Sequence, residues 1–166
     1  MAGSLVKIDE EIVTSAVASV PLTGIDSTYD VYLLVMNNVS PATLNADVYL
    51  RVTESGTASS DSDYDLAYKL LRTDTTFTNI ALTNQAQWGL SGSLENEAGK
   101  TFNGHCYIFN ANNSSEYTFV SDLLNGRDFK KNIAIINYYI SILKTSVKQL
   151  CKEIIIFCIK IKICIF

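Results

Sequence analysis

The chain changes vocabulary near residue 128, and that break limits what it can fold into as a single unit. Residues 1–128 are rich in Thr, Ser, Asn, Val and Tyr, with turn residues at short intervals. Residues 129–166 hold no Gly, no Pro, twelve Ile, seven Lys and three of the four cysteines. Of the 13 basic and 17 acidic residues, the tail takes seven and one, the one being Glu153. A net charge of −10 upstream therefore meets +6 downstream. One globular domain rarely carries such a switch, so the chain divides into a β module, 1–128, and a tail, 129–166.

The upstream part reads as strands. Residues 5–8 and the β-branched stretch 12–22 fit short strands, and Gly24 fits a turn at positive φ. Residues 29–39 hold the most apolar run and predict a central strand covered on both faces. Residues 47–53 alternate, with Val48, Leu50 and Val52 on one side and Asp47, Tyr49 and Arg51 on the other, as in a strand wet on one face. Residues 54–63 read as a surface loop. Tyr64–Arg72 fits a strand or a helical turn, and its neighbours favour the strand. Residues 76–82, 87–94 and 102–110 follow as strands, and 117–120 begins a last one. Seven to nine short strands with regular turn signals and no long helix predict an all-β fold. The expected form is an antiparallel β-sandwich or jelly roll, incomplete at its C-terminal end.

Few residues offer chemistry. The acidic balance argues against nucleic acid, whose phosphates need clustered Lys and Arg. Residues 1–13 place Lys7 among Asp9, Glu10 and Glu11, with no apolar stretch of signal length. The expectation is a protein that stays where it is made unless lysis or an assembled particle carries it out. Cys106 stands alone in the β module, so no disulfide framework is expected there. Cys151, Cys158 and Cys164 are seven and six apart, which matches no zinc ligand pair. His105 and Cys106 are strand neighbours, so their side chains point to opposite faces and cannot form a nucleophilic pair. Asp61, Asp63 and Asp65 have the spacing that opens a calcium loop. Leu66 stands where that loop needs Gly, and Arg72 where it needs Glu, so a solvated acidic loop is the competing reading.

Gly89-Leu90-Ser91-Gly92 does not complete a nucleophile elbow. Glu95 and Glu97 read as turn charges rather than a glycosidase pair, and no Gly-rich phosphate loop precedes a helix. No cofactor and no enzymatic activity are expected. The nine tyrosines fall mostly in strands, where packing is their default role. Trp88, in the polar setting of Asn84-Gln85-Ala86-Gln87, is the one aromatic singled out for ligand contact.

Three stretches carry a resemblance: Gly24-Ile25-Asp26-Ser27-Thr28-Tyr29-Asp30-Val31-Tyr32-Leu33, Asn38-Val39-Ser40-Pro41-Ala42-Thr43 and Tyr49-Leu50-Arg51-Val52-Thr53-Glu54-Ser55-Gly56. With Asn103-Gly104-His105-Cys106-Tyr107-Ile108-Phe109-Asn110, they resemble a family of small bacteriophage virion-associated β-sandwich proteins, common in marine phages. The likeness covers roughly residues 4–121, and its motifs are structural. The family tends to have Asp-Gly after Pro-Ala-Thr where this chain has Leu44-Asn45, a less favourable turn if Leu must take positive φ. The family also continues with closing strands where this chain has its Ile/Lys tail.

Three readings of the tail stand side by side. Ile, Lys, Asn, Phe and Tyr are what AT-rich codons specify, so a frameshift, an assembly error or a truncation would produce it. Ile133, Ile136, Ile140, Leu143, Val147, Leu150, Ile154 and Phe157 are spaced as a heptad seam, which predicts a helical stalk. Residues 132–143 are uncharged, but twelve residues fall short of the roughly 20 that span a bilayer. Whichever holds, Ile159, Ile161, Ile163 and Ile165 share one strand face and are expected to aggregate if exposed.

The resemblance implies a non-enzymatic phage structural protein displayed on the virion, tail-fibre-associated or decorating the capsid, and present in host cytoplasm during assembly. Its expected partners are other virion proteins and its own copies, since sandwich edges invite pairing. The alternative is a carbohydrate-binding module for host surface polysaccharide. Neither nucleic acid nor a membrane is an expected partner.

Overall fold

The computed structural model describes residues 5–54, 56–72, 77–94, 96, 100–113, 115–128, 133–143, 154–157 and 162–165; past residue 123 it gives the backbone path and pairing. Among these residues lie thirteen strands and no helix. The first ten are β1 (Asp9–Ile12), β2 (Val20–Leu22), β3 (Val31–Val39), β4 (Ala46–Glu54), β5 (Thr57–Ala58), β6 (Tyr64–Arg72), β7 (Phe77–Gln85), β8 (Trp88–Leu94), β9 (Phe102–Phe109) and β10 (Thr118–Asp128). The tail adds β11 (Ile133–Leu143), β12 (Ile154–Phe157) and β13 (Lys162–Ile165). No helix of the described residues is long and apolar enough to cross a membrane.

Two antiparallel sheets form. The first runs β1-β13-β3-β9-β10-β11-β6-β7, and the second runs β2-β12-β4-β5 with β8 paired to β4. Alternation explains the core between them. Tyr32, Leu34 and Met36 of β3 and Cys106 and Ile108 of β9 face Val48, Leu50 and Val52 of β4 and Trp88 and Leu90 of β8, all buried in one cluster. Each fully buried Val, Leu or Ile side chain stabilises the fold by about 1.5–3 kcal/mol. The all-β sandwich expected from strand spacing is the architecture observed.

Two buried tyrosines tie loops to this core. The Tyr32 hydroxyl donates to the Asp26 carbonyl at 2.7 Å and accepts from the Asp26 amide at 2.9 Å, closing the turn before β3. The Tyr64 hydroxyl donates to the Ser59 carbonyl and accepts from the Val52 amide, each at 3.3 Å, and so holds the loop after β5 against β4. Gly24 takes φ 81°, and a Cβ there would lie 2.7 Å from Ile8 Cγ2, so both backbone and space demand glycine.

Several expectations need correction. Residues 5–8 form no strand; the first begins at Asp9, and only Val20–Leu22 of the 12–22 stretch pairs. The 54–63 loop contains β5, which folds back on the end of β4. At Leu44-Asn45 it is Asn45 that takes positive φ, 60°, a conformation Asn tolerates, so the turn is not strained by Leu. The central strand β3 is covered on one face only: Val31 is 44% exposed, and Leu33 and Val35 are half-buried.

The helical expectation for the tail is overturned over its described stretches. Ile133, Ile136, Ile140 and Leu143 of the heptad seam lie in β11, and Ile154 and Phe157 in β12; Val147 and Leu150 fall outside the described residues. Twelve β-branched Ile, each stiff at χ1, favour extended backbone once neighbouring strands offer unpaired amides. All three tail strands lie inside the sheets. β11 sits between β10 and β6, β12 between β2 and β4, and β13 between β1 and β3. Ile154 and Ile156 pair opposite the buried Val52 and Leu50, and Ile163 and Ile165 opposite the buried Met36 and Leu34.

Candidate functional site

The strand-to-strand corner between β7 and β8 carries the chain from one sheet to the other, and a groove opens beside it. Its volume is about 390 Å³. Tyr49 and Asp47 line it from β4, Tyr68 from β6, Gln85 from the end of β7, Gln87 from the corner and Gly89 from β8. The outward-facing side of β4 in the alternating 47–53 pattern thus supplies one wall.

Hydrogen bonds fix that wall. The Tyr49 hydroxyl donates to Asp47 Oδ2 at 2.7 Å. Arg51 donates from Nε and Nη2 to Gln87 Oε1 at 3.1 and 2.7 Å, a forked contact that locks the corner amide onto β4. Gln85 Nε2 donates to the Thr83 carbonyl at 2.8 Å, which leaves its Oε1 as an acceptor. The bond to Asp47, with burial and the carboxylate charge behind it, pushes the Tyr49 phenol up to about 12. Burial also raises Tyr68. Both phenols therefore stay protonated and neutral across physiological pH.

This has a consequence for stability. Tyr49 titrates at 10.0 when unfolded and near 12 when folded, so its stabilising contribution is complete below pH 10 and fades as pH rises to about 12. Tyr32 and Tyr68, also raised, act in the same direction. Melting temperature is expected to fall across that window, and Tyr49→Phe should flatten the fall. An unchanged slope in the variant would show that the Asp47 bond does not form in solution.

The structure relocates the residues singled out in the sequence. Trp88 is 2% exposed and stacks edge-on against Tyr64 with ring centroids 5.0 Å apart, so it is a core residue without access to a ligand. The polar stretch before it is the corner itself, which is why the sequence suggested exposure. Asp61 and Asp63 lie together in the loop before β6, with the Asp63 amide donating to the Asp61 carbonyl at 2.8 Å. Asp65 Oδ1 instead accepts from the Asn84 amide at 2.9 Å, bracing β6 against the end of β7. Among the described residues no three His, Cys, Asp or Glu side chains converge on a metal position. Glu95 and Glu97 lie outside the described residues. Cys106 is fully buried and its thiol is pushed well up by burial, while His105 lies edge-on to Tyr107 on the opposite face of β9. Sequence reasoning missed that Tyr68, Gln85 and Gln87 line one groove with Tyr49, because only the assembled sheets bring them together.

A second surface is the outer face of the first sheet. Register places Val31, Phe109 and Phe119 in one row, Leu33, Tyr107 and Ser121 in the next, and Val35, His105 and Leu123 in the third. Val31, Tyr107, Phe119 and Leu123 are 44, 42, 38 and 40% exposed. Tyr107 meets His105 edge-on at 5.9 Å and Phe109 at a tilt at 6.4 Å between ring centroids. No Lys, Arg, Asp or Glu interrupts the array. A solvated antiparallel sheet normally turns polar residues outward, and exposed apolar patches larger than a few hundred Å² mark interaction surfaces.

No family model, curated protein or solved structure matches this chain.

Proposed function

We propose that this chain is a non-enzymatic phage structural protein displayed on the virion, tail-fibre-associated or decorating the capsid, which assembles through the outer face of its first sheet. The sequence resemblance over residues 4–121 and the β-sandwich both support the reading. The observation that carries it is the three-by-three array around Tyr107, which holds no Lys, Arg, Asp or Glu. The chain bears a net −4, so copies repel one another wherever their acidic surfaces meet. An array free of Lys, Arg, Asp and Glu is where two copies approach at least cost, one sheet face stacked on the other about 10 Å away.

Tyr107→Lys tests this on the full chain. Tyr107 is half-exposed, so its replacement costs the fold little, typically within about 0.5 kcal/mol. Burying an unpaired ammonium between copies is far more costly. Light scattering is expected to show an oligomer that Tyr107→Lys converts to monomer. A monomeric wild type, or a variant that stays oligomeric, removes the face from the proposal. Mass spectrometry of purified particles is expected to find the protein at stoichiometric level, and its absence would end the virion reading.

The second reading, a carbohydrate-binding module recognising host surface polysaccharide, is favoured by the groove between Tyr49 and Tyr68. Trp88, buried in the core, takes no part in it.

A further inference from the structure

We infer that the groove at the β7–β8 corner binds a neutral saccharide, with Tyr49 and Tyr68 as its aromatic walls. The inference rests on the carbohydrate-binding reading and gives that reading a site.

Sugars present two kinds of surface. The axial C–H groups of a pyranose form an apolar patch with slight positive charge, which suits the negative face of an aromatic ring. Equatorial hydroxyls need planar donors and acceptors at the rim. The groove supplies both. Tyr49 and Tyr68 line it from the two sheets, and both remain uncharged phenols at neutral pH. With its Oε1 held by Arg51, Gln87 retains its Nε2 donors, and Gln85 retains an Oε1 acceptor. The Asp47 carboxylate adds strong acceptor character beside the Tyr49 hydroxyl.

Charge narrows the ligand class. Asp47 is the one ionised residue lining the groove, and no Lys or Arg lines it. With no Lys or Arg among the lining residues to receive a phosphate, sulfate or uronate, neutral polyols suit it better. The volume of about 390 Å³ lies at the small end of the roughly 300–1,000 Å³ range of ligand sites and suits a mono- or disaccharide unit. The wall is preformed: the Arg51–Gln87 fork and the Tyr49–Asp47 bond hold its polar groups before any ligand arrives, which lowers the ordering cost of binding.

Gly89 provides the test. It lines the groove, its φ is not in the left-handed region, and a Cβ built there meets nothing within 4 Å. Gly89→Leu therefore starts from an unobstructed Cβ on a backbone that tolerates a side chain, and places its bulk at the groove. Saturation-transfer NMR on the full chain would use D-glucose, D-galactose, N-acetyl-D-glucosamine, maltose, cellobiose and chitobiose as probes. At least one is expected to bind with a dissociation constant near about 1 mM, with transfer concentrated on the C–H protons of one ring face. Gly89→Leu should weaken it by about tenfold or more, and Gln87→Ala, at the surface corner, by about fivefold. Circular dichroism confirms that each variant is folded. Should a sugar bind the wild type and both variants equally, the groove assignment falls while the carbohydrate-binding reading stands. If none of the six binds the wild type, both fall.

Discussion

A chain cut after Asp128 is expected to lose cooperative folding. The cut removes β11, β12 and β13, none of which lies at a sheet edge. Among the described residues, β11 is the one strand that joins the β6–β7 hairpin to β10, so without it the hairpin leaves the first sheet. Losing β13 separates β1 from β3, and losing β12 separates β2 from β4. Strand edges that pair across their length would then present bare amides and carbonyls. Each such group left unsatisfied in the interior costs about 1–3 kcal/mol. A few are enough to exceed the roughly 5–15 kcal/mol that holds a domain together.

Urea titration followed by tyrosine fluorescence should show a sigmoidal transition for the full chain and none for residues 1–128. Solubility is expected to follow the same order, because the Ile-rich strands are hazardous only when unpaired. This reverses the expectation from composition, in which the tail alone was the liability. If the shorter chain instead unfolds at the same urea concentration as the longer one, the tail is dispensable. The nucleotide sequence beyond codon 128 should then be read in its other frames for the strands that close the sandwich.

Trp88→Ala is the point substitution with the largest expected cost. The indole is 2% exposed, pairs in register with Leu50 and lies edge-on to Tyr64. Truncating a buried Trp removes its transfer free energy and leaves a cavity, together about 3–5 kcal/mol. For a chain of this size that lowers the melting temperature by about 10 °C or more. Trp88→Phe should cost much less. It keeps an aromatic against Tyr64 and removes the indole Nε1, which is buried without a hydrogen-bond partner. A Trp88→Ala protein of native stability that had lost saccharide binding would return Trp88 to the ligand site and contradict its place in the core.

Some of the fold was legible because strand periodicity is a local signal. Val48, Leu50 and Val52 announce a strand with one buried face, and all three are buried. Cys106 and Ile108 likewise point inward, and Tyr107 outward. The error on β3 has a physical cause. A run such as Val31–Val39, apolar at nearly every position, reads the same whether both faces are covered by this chain or one is left for a partner. The error on the tail is of another kind. Residues with a 3-4 apolar spacing and abundant Ile satisfy both a helical seam and a strand, and only neighbouring edges with free backbone groups decide between them. β11 retains a trace of that ambiguity. Its register sets Ser141 opposite the buried Val120 and Leu66, and Ile140 opposite the exposed Ala67, a phase that a one-residue shift would invert.

The candidate site was less legible than the fold. Asp47, Tyr49 and Arg51 were correctly placed on one strand face, but nothing in their spacing names Gln87, 36 residues beyond Arg51. Trp88 drew attention because its neighbours are polar, and those neighbours turned out to form the corner that buries it.

Alternation, turn residues and β-branched composition determined that this chain makes short antiparallel strands with one side turned inward, because each of those preferences acts within a few residues. Which strands lie side by side was decided only by the assembled sheets. So were the slots that β11, β12 and β13 fill, the faces that stay uncovered and the groove that Tyr49 and Tyr68 line together. Strand pairing depends on backbone groups that are alike in every residue, so its partners are chosen by the competition among all edges at once.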